Sequence, residues 1–117
     1  MAGIVQTSLA IKGLGGFGYK GNGTTEKIPD RPKRDADATL DASSYPGQAF
    51  LYRLSGDYNP LHVKPEISAI QKFERPIIHG LASYGIVART LIQKLFKNDP
   101  NQLKVYHARF VGHVYPG

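Results

Sequence analysis

Asp57, Asn59 and His62 fall within one run of six residues, in a stretch (residues 52–62) that reads Tyr-Arg-Leu-Ser-Gly-Asp-Tyr-Asn-Pro-Leu-His. A carboxylate and a neutral imidazole that converge on one small volume can share a water molecule and exchange protons with it. The backbone between them suits such convergence. Gly56 permits angles closed to other residues, Pro60 fixes its own φ, and the proline disfavours helical geometry at Asn59. The stretch therefore predicts a turn that brings Asp57 and His62 together. The same spelling also serves as ordinary loop punctuation, and a lone histidine is often structural, so the residue types alone leave both readings open. Asn59 carries the same ambiguity between orienting a water and closing the turn.

The elements that must hold this turn can be read on either side of it. Residues 48–54 (Gln-Ala-Phe-Leu-Tyr-Arg-Leu) form a short apolar element that periodicity leaves undecided between strand and helical turn. After His62, Pro65 and Glu66 are helix-start signals, and Ile67, Ile70 and Phe73 follow at three-residue spacing. Residues 65–73 thus predict a short amphipathic helix covering the site. Glu74-Arg75-Pro76 breaks it, and a longer helix is expected over residues 79–96, burying a stripe of Leu81, Ala88, Leu91, Ile92 and Leu95 with Gly85 among them. Small residues at its start, Gly80, Ala82 and Ser83, allow backbone or ligand to approach closely. Asp99-Pro100 ends it, residues 103–111 alternate well enough to predict a strand, and residues 115–117 read as a turn.

The first part of the chain carries less chemistry. Residues 4–12 are rich in β-branched and apolar side chains and predict a strand. It runs into Gly13-Leu14-Gly15-Gly16-Phe17-Gly18, which satisfies the dinucleotide-binding spelling G-x-G-x-x-G. That fingerprint needs a helix to begin at the glycines, and the following Tyr19-Lys20-Gly21-Asn22-Gly23 will not start one, so a glycine-rich turn is the better account. Residues 19–47, with alternating proline and charge and no apolar periodicity, predict an extended, solvated linker.

Composition sets the outer bounds. A chain of 117 residues has room for one domain, and 41% hydrophobic with 21% charged residues suits a globular protein rather than a disordered one. There is no cysteine, which removes disulfides and thiolate metal sites. No apolar run approaches the ~18 residues a membrane span needs. The first residues lack the basic start and apolar core of a secretory signal. The formal charge of +6 is uneven: residues 1–44 carry six Lys/Arg against five Asp/Glu, whereas residues 45–117 carry nine against four. These cations are scattered, with no aromatic platform among them, so nucleic acid is one possible partner of such a surface and an anionic small molecule serves equally well.

The eleven-residue run at 52–62, with the second block Pro76-Ile77-Ile78-His79-Gly80-Leu81, resembles the signature of the hydratase 2 (MaoC-like) family of hot-dog proteins, most closely the hydratase domains of peroxisomal multifunctional enzymes. The resemblance covers residues 48–117, and the glycine-rich run fits the same family's inter-repeat region. It implies an α+β hot-dog fold, an antiparallel sheet around a long central helix. Residues 1–18 would then be the last strand and turn of a preceding repeat, residues 19–47 a linker, and residues 48–117 a hydratase segment, with the fold incomplete at both ends. It implies addition of water to a trans-2-enoyl-CoA, giving the (3R)-3-hydroxyacyl-CoA, in fatty acid β-oxidation. Asp57 and His62 match the family's catalytic pair, Asn59 its orienting residue and Gly80 the backbone oxyanion donor. By the same resemblance Arg109 becomes a candidate substrate contact, its alternative being a surface arginine, and His79, beside Gly80, either lines the pocket as a substrate contact or packs at the helix start. No metal and no separate cofactor are implied, since coenzyme A belongs to the substrate. The expected partners are the thioester and a second copy or another hot-dog repeat, and the expected compartment is the peroxisome, otherwise the cytoplasm. The rival expectation is a catalytically silent fragment that only binds thioesters or assembles.

Overall fold

Gly13, Gly16 and Gly18 take φ of +81°, +86° and +83°, left-handed turn geometry, and no helix begins among the described residues of the glycine run. The computed structural model describes residues 29–117 together with residues 7, 13 and 15–18, and the chain divides into two units, Met1–Arg31 and Pro32–Gly117. The strand expected over residues 4–12 lies outside the described residues apart from Thr7. Residues 29–45 contain neither helix nor strand, and Arg34 grips Asp37 there through two bonds of 2.6 and 2.8 Å.

In the second unit the undecided apolar run is helical. Helix α1 (Gln48–Tyr52) buries Ala49, passes into a 3-10 turn at Arg53–Ser55, and stops at Gly56, whose φ of +114° only glycine adopts readily. A second 3-10 turn, Pro60–His62, follows Asn59, which the proline holds at ψ 121°. Helix α2 (Pro65–Ile70) ends earlier than the apolar spacing implies. Lys72 adopts φ +63°, its N–H donating to the Ala69 carbonyl while the Phe73 N–H donates to the Ser68 carbonyl, so a left-handed cap closes the helix before Phe73.

Helix α3 (Gly80–Leu95) is the long element, about 24 Å at 1.5 Å per residue. Its buried stripe is rotated from the expected one. Ala82 and Thr90 are buried, Ala88, Leu91 and Ile92 are half-buried, and Leu81 and Leu95 remain 57% and 47% exposed. The helix is covered only in part: α1 lies beside its first turns, Leu40 and its neighbours line a groove of about 240 Å³ against Val87, Leu91 and Leu95, and Tyr106 and Phe110 meet it from downstream. The strand expected over residues 103–111 is not formed. Among the described residues no other segment offers it a ladder, and a strand without a pairing partner has no repeating hydrogen bonds to hold it. This segment is anchored through side chains instead. Tyr84 donates to the Tyr106 carbonyl at 2.7 Å, Tyr106 donates to the Tyr84 carbonyl at 3.3 Å, and their rings lie 4.2 Å apart.

The last residues brace the entry to α3. The Ile78 N–H donates to the Val114 carbonyl at 2.8 Å, Arg75 donates to the Pro116 carbonyl, and the Glu74 N–H donates to the Tyr115 hydroxyl. These bonds fix the backbone just before His79 and Gly80.

Candidate active site

Asp57 and Asn59 are placed by two successive side-chain turns. The Asp57 carboxylate accepts from the Asn59 N–H at 3.2 Å, and the Asn59 side-chain oxygen accepts from the Leu61 N–H at 3.0 Å. Asn59 thereby caps the Pro60–His62 turn, so the structure gives its side chain a turn-closing task. Underneath, Ser68 is fully buried and its hydroxyl donates to the Leu61 carbonyl at 2.8 Å, with Lys64 as a longer second acceptor. That bond ties α2 to the residue preceding His62.

His62 is oriented from the other side. Its Nδ1 lies 2.8 Å from the Ile77 carbonyl, and because a carbonyl can only accept, Nδ1 carries the proton. The neutral ring then presents an unprotonated Nε2. His79 follows the same logic: Nε2 donates to the Asp57 backbone carbonyl at 3.2 Å, leaving Nδ1 buried with no hydrogen-bond partner among the described residues. His79 is 1% exposed, and its ring is packed between Tyr52 at 4.7 Å and His62 at 3.8 Å. Burial pushes the His79 imidazole below its ordinary value, and the neighbouring His62 adds to this; the bond to the Asp57 carbonyl and the Asp57 charge act against it.

One nitrogen from each histidine and one carboxylate oxygen of Asp57 all lie within 4.8 Å of one another. Such a set has the composition of a metal site. The geometry is less favourable. The two imidazoles are stacked, tilted by 31°, and nitrogen lone pairs lie in the ring planes, so stacked rings do not aim at a common point beside them. The present arrangement is better suited to passing protons between a carboxylate and a nitrogen base through a shared water.

Gly80 begins α3, and its N–H has no partner among the described residues. It points from the positive end of a 16-residue helix, where unpaired N–H groups attract negative charge. A Cβ added at Gly80 would meet the Phe110 ring at 3.6 Å, ordinary contact, so close packing does not by itself require glycine there. Arg109 adjoins Phe110 and is exposed with no hydrogen bond among the described residues; His107 is exposed, while His113 is exposed with its ring edge-on to Phe73 and Tyr115. The structure thus brings Asp57, His62 and His79 together, sets Gly80 next in the chain, and leaves Arg109 outside this hydrogen-bonded group. Three supporting groups were not singled out by the sequence: the Tyr52 ring, the Ser68 hydroxyl and the Ile77 carbonyl. A serine inside the apolar spacing of α2 was the one visible sign of the second.

A groove of about 250 Å³ opens beside the cluster, lined by Gln48 and Tyr52 of α1 and by Leu81, Ala82, Gly85 and Arg89 of α3. Tyr52 belongs to both the groove and the stack on His79.

The MaoC like domain family matches residues 24–117. The chain is 44% identical over 115 residues to the peroxisomal multifunctional enzyme type 2 of Mus musculus, covering 96% of this chain and 15% of that protein. It is 47% identical over 112 residues to a probable enoyl-CoA hydratase 2 of Dictyostelium discoideum, covering 94% of this chain and 38% of that one. Among solved structures it is similar to the full-length peroxisomal multifunctional enzyme type 2 of Drosophila melanogaster, with TM-score 0.66 and 37% identity over 82% of this chain and 18% of that chain. The chain therefore spans well under half the length of these relatives.

Proposed function

Because the chain belongs to the MaoC-like domain family, we propose that it carries the water-adding site of an (R)-specific enoyl-CoA hydratase, a hydro-lyase acting on trans-2-enoyl-CoA in peroxisomal fatty acid β-oxidation. The observation that carries this reading is the convergence of Asp57 and His62 with the His62 tautomer fixed by the Ile77 carbonyl. With Nδ1 committed to that carbonyl, Nε2 is the nitrogen that trades protons with the shared water. The names of the mouse and slime-mould relatives support the substrate class and, for the mouse protein, the compartment.

The reaction balances on this pair. Water loses one proton to one member as its oxygen bonds to C3; the C2–C3 π bond breaks, and C2 takes a proton from the other member. The C3 hydroxyl keeps the water's second proton. A proton transfer between Asp57 and His62 then restores the pair, which must therefore enter each cycle holding one exchangeable proton. Negative charge developing on the thioester oxygen falls to the unpaired Gly80 N–H at the α3 N-terminus. Asn59 holds the Asp57 turn, and Arg109 is the cation assigned to the coenzyme A phosphates. No metal or separate cofactor enters this scheme. A second hot-dog unit, a copy of this chain or another repeat, covers apolar side chains that the described residues leave exposed, Val105 at 71% and Val111 at 88% among them.

The test is hydration of a medium-chain trans-2-enoyl-CoA by the purified chain, beside Asp57→Asn and His62→Gln. Turnover by the parent that falls by at least ~10²-fold in each variant supports the reading. Equal turnover in parent and variants, or none in soluble parent protein, contradicts it and leaves the rival reading of a silent thioester-binding fragment.

A further inference from the structure

His79 touches both members of the pair by different means. Its Nε2–H donates to the backbone carbonyl of Asp57 at 3.2 Å, and its ring lies against the His62 ring with centroids 3.8 Å apart. Tyr52 closes the other contact at 4.7 Å, so the imidazole is packed between α1 and the Pro60–His62 turn and is 1% exposed. The residue itself is the N-cap of α3, at φ −60° and ψ 136°, directly before Gly80. Its own backbone entry is braced by the bond from the Ile78 N–H to the Val114 carbonyl. No side chain of His79 caps the helix, so the ring is not occupied by its own element. An imidazole buried this deeply, with one nitrogen left without a partner among the described residues, costs stability that a phenylalanine or leucine of similar volume would not. The polar ring is retained at a place where its one hydrogen bond goes to the Asp57 backbone.

We propose that His79 is the positioning residue of the site: one rigid ring that sets the Asp57 loop and the His62 imidazole at a fixed separation, rather than a contact to substrate. This rests on the hydratase reading for its catalytic consequence, but the positioning itself is a property of the loop and can be read without turnover. Among the described residues the other bonds to the Asp57 loop are all local. Asp57 and Asn59 are exposed, and residues 57–59 are otherwise held by the two side-chain turns, by the His62 N–H donating to the Asn59 carbonyl at 3.3 Å and by Arg53 donating to the Tyr58 carbonyl at 3.5 Å. Removing the His79 N–H releases the backbone of Asp57, and misplacement of a reacting group by about 1 Å can cost on the order of 100-fold in rate.

The experiment compares the full chain with His79→Phe, which keeps a ring but no N–H, and His79→Gln, which keeps an N–H at similar reach but no ring. Two readouts are taken: amide hydrogen exchange at Asn59 and Leu61, whose N–H groups close the loop turns, and kcat and KM for enoyl-CoA hydration. In His79→Phe both amides are expected to exchange faster and kcat to fall by about 10- to 100-fold with KM within twofold. In His79→Gln the Asn59 amide is expected to return to the parent rate and most of the kcat to be recovered. A rise in KM with unchanged kcat and unchanged exchange in His79→Phe would make His79 a substrate contact and overturn the proposal. If His79→Phe does not fold, His79→Gln decides alone: a folded variant with unprotected Asn59 and Leu61 amides overturns the proposal, and parent-like protection supports it. Absence of turnover in the parent refutes the hydratase reading, while the exchange comparison still decides the positioning.

Discussion

At the scale of single residues the proposed reaction separates the site into groups that exchange protons and groups that orient them. Asp57 and His62 were visible as chemistry because their types and spacing are unusual, whereas the tasks of His79 and Ile77 were not, since they depend on a fold that brings residues 57 and 79 together. Gly80 allows the oxyanion role to be tested cleanly. It is the first helical residue, a position where proline is well tolerated, and His79 before it already has the extended ψ that a following proline requires. Gly80→Pro removes the N–H and is expected to lower kcat by about 10²- to 10³-fold, close to 3 kcal/mol, with the helix retained by circular dichroism. Gly80→Ala keeps the N–H and meets only ordinary contact with Phe110, so it should stay within a few-fold of the parent. Equal loss in both variants would assign Gly80 to packing. The buried His79 also sets a pH dependence. Its folded value lies below its ordinary one, so as pH falls through the ordinary histidine range the unfolded chain takes up a proton that the folded chain resists. Stability is therefore full above that range and lost below it, opposed in part by the Asp57 charge and bond and reinforced by His62 and Arg53. Urea midpoints measured at pH 7.5 and 5.5 should fall on acidification, and fall less in His79→Gln.

At the scale of elements the site is a turn held between two helices and a brace. Helix α2 grips it through Ser68, whose hydroxyl reaches the Leu61 carbonyl next to His62. Ser68→Ala leaves that carbonyl without its donor and is expected to cost about 1 to 3 kcal/mol in chemical denaturation, with kcat falling as well because the His62 turn loosens. A loss in stability without any change in kcat would show that α2 does not steer His62. The start of α2 was readable because Pro65 and Glu66 mark it, and α3 spans Gly80–Leu95 where residues 79–96 were expected. The end of α2 was not readable, because it depends on Lys72 entering left-handed geometry without glycine. The strand over residues 103–111 was inferred from alternation, a local property, whereas a strand is defined by its neighbour. Here the alternation instead turns Tyr106 toward Tyr84 of α3. The stripe of α3 was misjudged for a related reason: periodicity gives the angular width of an apolar face, but the elements that happen to cover it choose which part is buried.

At the scale of the molecule, the described residues hold few buried apolar side chains, Ala49, Ile78 and Ala82, and leave many large ones exposed, including Phe50, Leu54, Ile70 and Phe110. The matched relatives are far longer than this chain, and a second hot-dog unit against these surfaces is the assembly we propose for the working site. Among the described residues no helix is long and apolar enough to cross a membrane. The basic half of the chain, nine Lys/Arg against four Asp/Glu over residues 45–117, is compatible with the anionic thioester proposed above. In the proposed reaction one Asp57–His62 pair delivers both the water oxygen and a proton from the same side. The most direct measurement is hydration of a trans-2-enoyl-CoA in D2O, with the configurations at C2 and C3 of the product determined together. The account predicts a single (3R) product carrying deuterium at C2 on the same face as the new hydroxyl, and loss of that product with Asp57→Asn. Deuterium scrambled at C2, or placed on the face opposite the hydroxyl, would contradict a single shared water held between these two residues.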